Sequence, residues 1–239
     1  LEADSEMLCG VFALLISEDA LGTGHSEQKP RGRVLRVRKE SFMAEAISVS
    51  GPVSGTDKTL TFETGKFAPQ SMGAVVATIS GTKVLTTANA AKSVREGMDF
   101  FPLTVDVEER AYAAGKIPGS FFRREGRPTE DAILTCRLTD RPLRPSFPDG
   151  FRNETQIVTT VLGADQENPH DVLSINAASA ALMISGIPFD GPIGAVRMAY
   201  SQEGEWIPHP TFDEAEFRTP AAVFDPLTAS HGSTRPGAG

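Results

Sequence analysis

Phe121-Phe122-Arg123-Arg124, with Arg127 three residues further on, is the group in this sequence best equipped to hold a polyanion. Aromatic faces stack on nucleobases, and guanidinium groups grip phosphates in a bidentate fork. Together they suit single-stranded nucleic acid. Gly115, Pro118, Gly119, Gly126 and Pro128 interrupt the same stretch. Neither a helix nor a central strand tolerates so many breakers, so a long exposed loop is expected over 112–128. Loops of that length inside a compact domain are usually functional or disordered.

A second arginine group follows in Asp140-Arg141-Pro142-Leu143-Arg144-Pro145, with Arg137 one helical turn before Arg141. Between residues 117 and 152 every basic residue is arginine: Arg123, Arg124, Arg127, Arg137, Arg141, Arg144 and Arg152. Lysine would serve solubility equally well, so exclusive arginine points to planar contacts with phosphate or carboxylate. The alternative is that Glu125, Asp131 and Asp140 take some of these arginines into structural ion pairs.

Other groups carry less. Asp106 and Glu108 share one face of an expected strand, but two carboxylates without a third ligand read as a solvated face rather than a metal site. Gly191-Pro192-Ile193-Gly194 follows no strand-to-helix junction and is a turn, not a phosphate cradle. His25, His170, His209 and His231 are scattered without metal-ligand spacing, and Cys9 and Cys136 lack any Cys-x-x-Cys partner. That cysteine usage fits a reducing compartment. No Ser-His-Asp or Cys-His set assembles at a recognisable spacing.

The elements that must position the arginines come next. Leu60 and Phe62, Ala74–Ile79, Val84–Ala88 and Phe100–Val107 read as strands, with a tight turn at Ser80-Gly81-Thr82-Lys83. A helix is expected over Thr129–Leu138, started by Pro128 or Thr129 and burying Ile133, Leu134 and Leu138. Thr155–Leu162 is a further strand. A second helix is expected over Asn168–Ser185, with Asn168 as N-cap, Pro169 in its first turn and Gly186 as its stop. Its Ala177–Ala181 stretch offers a small surface for close packing. Ile193–Tyr200 and Trp206–Ile207 form a closing hairpin around Glu203-Gly204. This order predicts an α+β domain with a mixed sheet.

Three segments are expected: a largely disordered leader over 1–57 with a candidate first strand near 42–50, a core over 58–215, and a divergent Pro/Gly-rich, disordered tail over 216–239. A chain of 239 residues with 40% hydrophobic content can bury a sizeable core. Its net charge of −8 argues against coating nucleic acid through bulk charge, so any such binding must be local. The longest apolar run, Leu8–Ile16, is too short to cross a bilayer and follows acidic residues, unlike a secretory signal.

The motifs then make a pattern. Phe62-Glu63-Thr64-Gly65, the run 99–105, Gly119–Pro128, Arg137–Pro145, Asn153–Gln156, Ala177–Ala181 and Gly191–Arg197 occur in the order in which they stand in polynucleotide phosphorylase. Over roughly 58–215 the chain resembles the first core of that bacterial-type family. The resemblance implies a ribonuclease PH-like core, similar to ribosomal protein S5 domain 2, which would be C-terminally incomplete here. It implies a phosphate-dependent 3′→5′ exoribonuclease active in RNA degradation. The family enzyme carries two such cores, a helical domain between them, and KH and S1 domains. Three chains form a ring around a channel for single-stranded RNA.

In the family, inorganic phosphate attacks the terminal phosphodiester with help from a divalent metal, magnesium, and the reverse reaction extends a 3′ end. The metal-binding aspartates and phosphate-binding serines belong to the second core, so no catalytic residue, metal or cofactor is expected in this chain. By the resemblance, Phe121, Phe122, Arg123 and Arg124 contact RNA at the channel neck, supported by Arg127, Arg141 and Arg144. Expected partners are single-stranded RNA and, in the full-length family enzyme, two further copies in a homotrimer, with no membrane. The location is the bacterial cytoplasm, or alternatively an organelle. The rival expectation is a non-catalytic RNA-binding or ring-forming subunit.

Overall fold

A computed structural model describes residues 46–53, 55–95, 97, 99–119, 125–200, 206–215 and 221–224. The leader over 1–45, with its apolar and basic runs, therefore lies outside the described residues, as do Phe121, Phe122, Arg123 and Arg124.

Six strands form the main sheet: β1 (Ile47–Pro52), β2 (Thr59–Thr64), β3 (Gly73–Ile79), β4 (Thr82–Ala90), β5 (Leu103–Glu108) and β6 (Thr155–Gly163). Their spatial order is β1-β2-β3-β4-β6-β5. Neighbours run antiparallel except β5 and β6, which are parallel. β1 overlaps the candidate first strand near 42–50 and runs on to Pro52, where it pairs with β2 N-terminally of residue 58. The β3–β4 turn has only Ser80 and Gly81 between the paired Ile79 and Thr82.

A parallel pair cannot be closed by a hairpin and needs a crossover. Here that crossover holds a 3-10 turn (Ala111–Ala114), the arginine-rich segment and helix α1 (Glu130–Leu143). Thr129 caps α1, its hydroxyl oxygen accepting from the Ala132 amide at 3.0 Å, and Glu130 and Asp131 favour the positive end of the dipole. The helix runs five residues beyond the expected end, through Pro142.

Its buried side also differs from expectation. Ala132, Thr135, Thr139 and Leu143 face inward, whereas Ile133 is 45% and Leu134 62% exposed. The buried threonines satisfy their hydroxyls within the helix: Thr135 donates to the Asp131 carbonyl at 2.9 Å and Thr139 to the Thr135 carbonyl at 2.8 Å. Only Leu138 of the three expected residues packs against the core.

Helix α2 (Asp171–Ser185) is buried on almost every side, as an all-round apolar helix must be. It packs on β3 and β4 and also against β7 (Gly194–Tyr200). The Asn176 side chain fastens the second contact, donating to the Ala195 carbonyl at 2.9 Å and accepting from its amide at 2.7 Å. Gly186 ends the helix in the left-handed region, as expected.

Its start does not follow expectation. His170 holds the N-cap position without a side-chain bond, and the buried Asn168 turns instead to Asp165.

β7 pairs with β8 (Trp206–Pro208) and with β9 (Ala221–Phe224) in a small antiparallel sheet. β9 is a correction: residues 221–224 lie in the expected disordered tail. A one-turn helix α3 (Phe212–Ala215) stands between β8 and β9. Asp171 pairs with Arg197, and His209 is anchored beside them, its carbonyl accepting from Lys58 at 2.6 Å. Burial and the nearby Lys58 charge push the His209 imidazole down to about 4, with Arg197 adding to Lys58 and Asp171 opposing them, so the ring is neutral at neutral pH.

Facing positions of the central strands fit together by size. Val84 lies opposite Val161, Ala88 opposite Ile157, and Thr86 opposite Thr159 with their hydroxyls 2.9 Å apart. The core includes an aromatic cluster in which Phe147 meets Phe101 at 4.7 Å and Phe189 at 5.4 Å between ring centres.

Candidate nucleic-acid interface

The arginines fall into two groups once their surroundings are known. Arg144, at the end of α1, is fully occupied by protein. Its Nε and Nη2 donate to the two Asp140 carboxylate oxygens at 3.1 and 2.7 Å. Nη1 reaches the Phe101 carbonyl at 3.0 Å, Nη2 also reaches the Leu103 carbonyl at 3.2 Å, and the guanidinium sits 5.8 Å from the Phe101 ring centre. The planar fork is used, but to tie α1 to the start of β5.

Arg144→Ala should therefore lower stability by about 1–2 kcal/mol, the ion pair itself counting little at this exposure. A thermal melt checks this. A melting curve unchanged from the parent would contradict the structural engagement.

Arg127, Arg137 and Arg141 are exposed and have no hydrogen-bond or ion-pair partner among the described residues. Arg137 and Arg141 stand one helical turn apart on α1, beside the exposed Leu134. An exposed row of arginines next to apolar surface can take phosphate while its flanks pack against a base or sugar.

The segment before α1 is held at its stems. Glu125 Oε1 accepts the Ala111 amide at 2.5 Å, and the Glu125 carbonyl accepts from Arg110 Nη1 at 3.2 Å. Arg110 also bonds Glu108 at 3.2 Å. Four residues past Glu125, the Thr129 hydroxyl donates to Glu109 Oε2 at 2.5 Å, while Glu109 Oε1 lies 2.8 Å from His170 Nε2. The contact with His170, helped by the Thr129 hydroxyl and opposed by burial, holds the Glu109 carboxyl below its usual range. Sequence reasoning missed this Glu109–Thr129–His170 junction. Its one visible signal is the acidic end of β5, whose alternation points to solvent.

Asp106 and Glu108 project from β5 into solvent. Among the described residues no three of His, Cys, Asp and Glu come together in a way that could hold a metal ion.

The mixed six-stranded sheet carrying two helices and a small second sheet is a ribonuclease PH-like fold. It is similar to rice (Oryza sativa) Rrp46, with a TM-score of 0.53, 18% identity, and coverage of 71% of this chain and 76% of that one.

Residues 56–188 match the RNase PH model, described as "3′ exoribonuclease family, domain 1", and the chain belongs to that family. The polyribonucleotide nucleotidyltransferase of Parafrankia sp. (strain EAN1pec) is 59% identical over 186 residues, and that of Mycobacterium avium (strain 104) 56% over 188. Each alignment takes in 78% of this chain but 24% of the relative, so the chain spans about a quarter of the length of these curated relatives. The resemblance to polynucleotide phosphorylase is borne out over its first core.

Proposed function

We propose that this chain is the RNA-guiding core of a phosphate-dependent 3′→5′ exoribonuclease of the polyribonucleotide nucleotidyltransferase type. The observation that carries the reading is the split among the arginines. Arg144 is consumed by structure, while Arg127, Arg137 and Arg141 face solvent without partners among the described residues. They flank the Phe121-Phe122-Arg123-Arg124 motif on its C-terminal side. The local cationic surface works against a net charge of −8 and gives the RNA backbone a place to settle.

By the resemblance to the family, bond cleavage is assigned to its second core. Inorganic phosphate and magnesium enter only there. A homotrimeric ring in the bacterial cytoplasm completes the reading. Among the described residues no helix is long and apolar enough to cross a membrane.

The test is binding of a labelled single-stranded oligoadenylate to the 239-residue chain at several salt concentrations. Affinity should fall with salt, by about 0.7 in log–log slope for each phosphate neutralised. Arg123→Ala combined with Arg124→Ala should weaken binding about tenfold or more and flatten the slope by about 1.4, the share of two phosphates. Unchanged affinity and slope in the double variant would overturn the RNA reading. Robust release of nucleoside diphosphates from poly(A) and phosphate by this chain would overturn the assignment of cleavage to the second core.

A further inference from the structure

Arg127 is bracketed by two fastenings. Two residues before it, Glu125 accepts the Ala111 amide at 2.5 Å and its carbonyl accepts from Arg110 at 3.2 Å. Two residues after it, Thr129 donates to Glu109 at 2.5 Å, and Glu109 in turn contacts His170 at the start of α2. The backbone that carries Arg127 is thus pinned to the end of β5 on one side and to both helix N-termini on the other. Gly126 and Pro128 separate Arg127 from these points, and Gly126 has nothing within 4 Å of where a side chain would begin. Without the two anchors this short exposed run would keep considerable freedom, and ordering it would have to be met by the binding energy.

We propose that Glu125 is a positioning residue for RNA, acting by holding the backbone of Arg127 in a binding-ready conformation. This rests on the RNA-guiding reading above. It makes a prediction opposite in sign to simple electrostatics. Glu125 is an anion beside a site for polyanions, so removing its charge should by Coulomb's law alone tighten RNA binding. If it positions Arg127, truncating it weakens binding.

The experiment uses the 239-residue chain and the same labelled oligoadenylate. Glu125→Ala should bind about fivefold more weakly, and Arg127→Ala should lose a similar factor. Combined, the two should lose little more than either alone, because they remove one interaction. Glu125→Gln keeps an oxygen for the Ala111 amide and drops the charge, so it should bind as well as the parent or better. Ala111→Pro removes the donor with no change of charge. Proline is tolerated there because residue 111 opens the 3-10 turn and Arg110 before it is extended (ψ 137°). It should reproduce the loss seen in Glu125→Ala. Thermal melts of both variants, compared with the parent at the assay temperature, guard against simple unfolding.

A parent chain that binds RNA together with a folded Glu125→Ala that binds as tightly or more tightly overturns the positioning role and leaves the RNA reading standing. Full additivity of Glu125→Ala and Arg127→Ala overturns it too. A parent chain that fails to bind RNA overturns both.

Discussion

Asp165→Ala is expected to lower the melting temperature by about 6–12 °C, equivalent to about 3 kcal/mol in a chain of this size. Asp165 sits between β6 and α2 and gathers donors from two separate connections. Its carboxylate accepts from the Gly81 amide at 3.1 Å and the Thr82 hydroxyl at 3.0 Å, both from the β3–β4 hairpin. From its own loop it accepts the Glu167 and Asn168 amides at 2.9 and 2.8 Å and the Asn168 side chain at 2.6 Å. Asn168 is buried, so alanine leaves its backbone and side-chain N–H donors short of a partner, while the Thr82 hydroxyl keeps the Asn168 carbonyl at 3.0 Å. Asparagine keeps one acceptor oxygen and should recover about half of the loss.

The same residue should make the fold acid-sensitive. Desolvation raises the Asp165 carboxyl, but the Asn168, Glu167 and Thr82 donors outweigh it and bring the pKa from 3.8 down to about 2. A folded-state value below the unfolded one stabilises the protein above pH 4, and that contribution is lost as pH falls from 4 to 2. The full shift would correspond to about 2.4 kcal/mol, reduced to about 1–2 kcal/mol by solvent screening at this partly exposed site. The parent should therefore lose melting temperature between pH 4 and pH 2 more steeply than Asp165→Ala. Parallel profiles would remove the carboxylate from the account.

The second large effect is expected at Gly73. A Cβ placed there would lie 2.1 Å from the Ala181 carbonyl oxygen and 2.9 Å from Ser185 Cβ. Its φ is not in the left-handed region, so the demand for glycine comes from space and not from conformation. The obstructing oxygen belongs to helix backbone and cannot swing aside. Even Gly73→Ala must push α2 away from β3, where the two backbones touch, at a cost of about 3 kcal/mol or more. A fall of about 6–12 °C in melting temperature is expected, with Gly73→Val worse. A Gly73→Ala variant that melts with the parent would show that the helix can retreat freely. Ala181 and Ser185 are the other half of this fit, since they are the residues of α2 that face Gly73.

How much of this was legible in the sequence depended on what kind of signal each element gave. The sheet strands were readable because their apolar residues alternate and turns separate them. α1 was readable as a helix but not in its facing. Counting threonine as polar puts Ile133 and Leu134 inside, yet Thr135 and Thr139 satisfy their hydroxyls on carbonyls one turn back and take the buried side. β9 was hidden because composition was averaged over a Pro/Gly-rich stretch, whereas four residues suffice when β7 offers a free edge.

At the candidate site, residue type marked the arginines as a group, but only geometry could divide them. Arg144 and Arg141 look alike in sequence, and the carbonyls of Phe101 and Leu103 that claim Arg144 are more than forty positions away. The Glu109–His170 contact spans a still longer gap in the chain and left no local trace.

The placement of β6 between β4 and β5 has a consequence for the nascent chain. β1 to β4 can form as a meander as soon as they leave the ribosome, but β4 keeps an open edge until its partner arrives. Ala90 waits for Thr155 and Lys83 for Gly163. At about 5–20 residues per second, translation needs roughly 3–16 s to cover that interval. During it, the unpaired edge of β4 is a template that a neighbouring nascent chain could join. The crossover bearing the arginines emerges in the same interval, so the length of that segment sets how long the half-built sheet stays exposed.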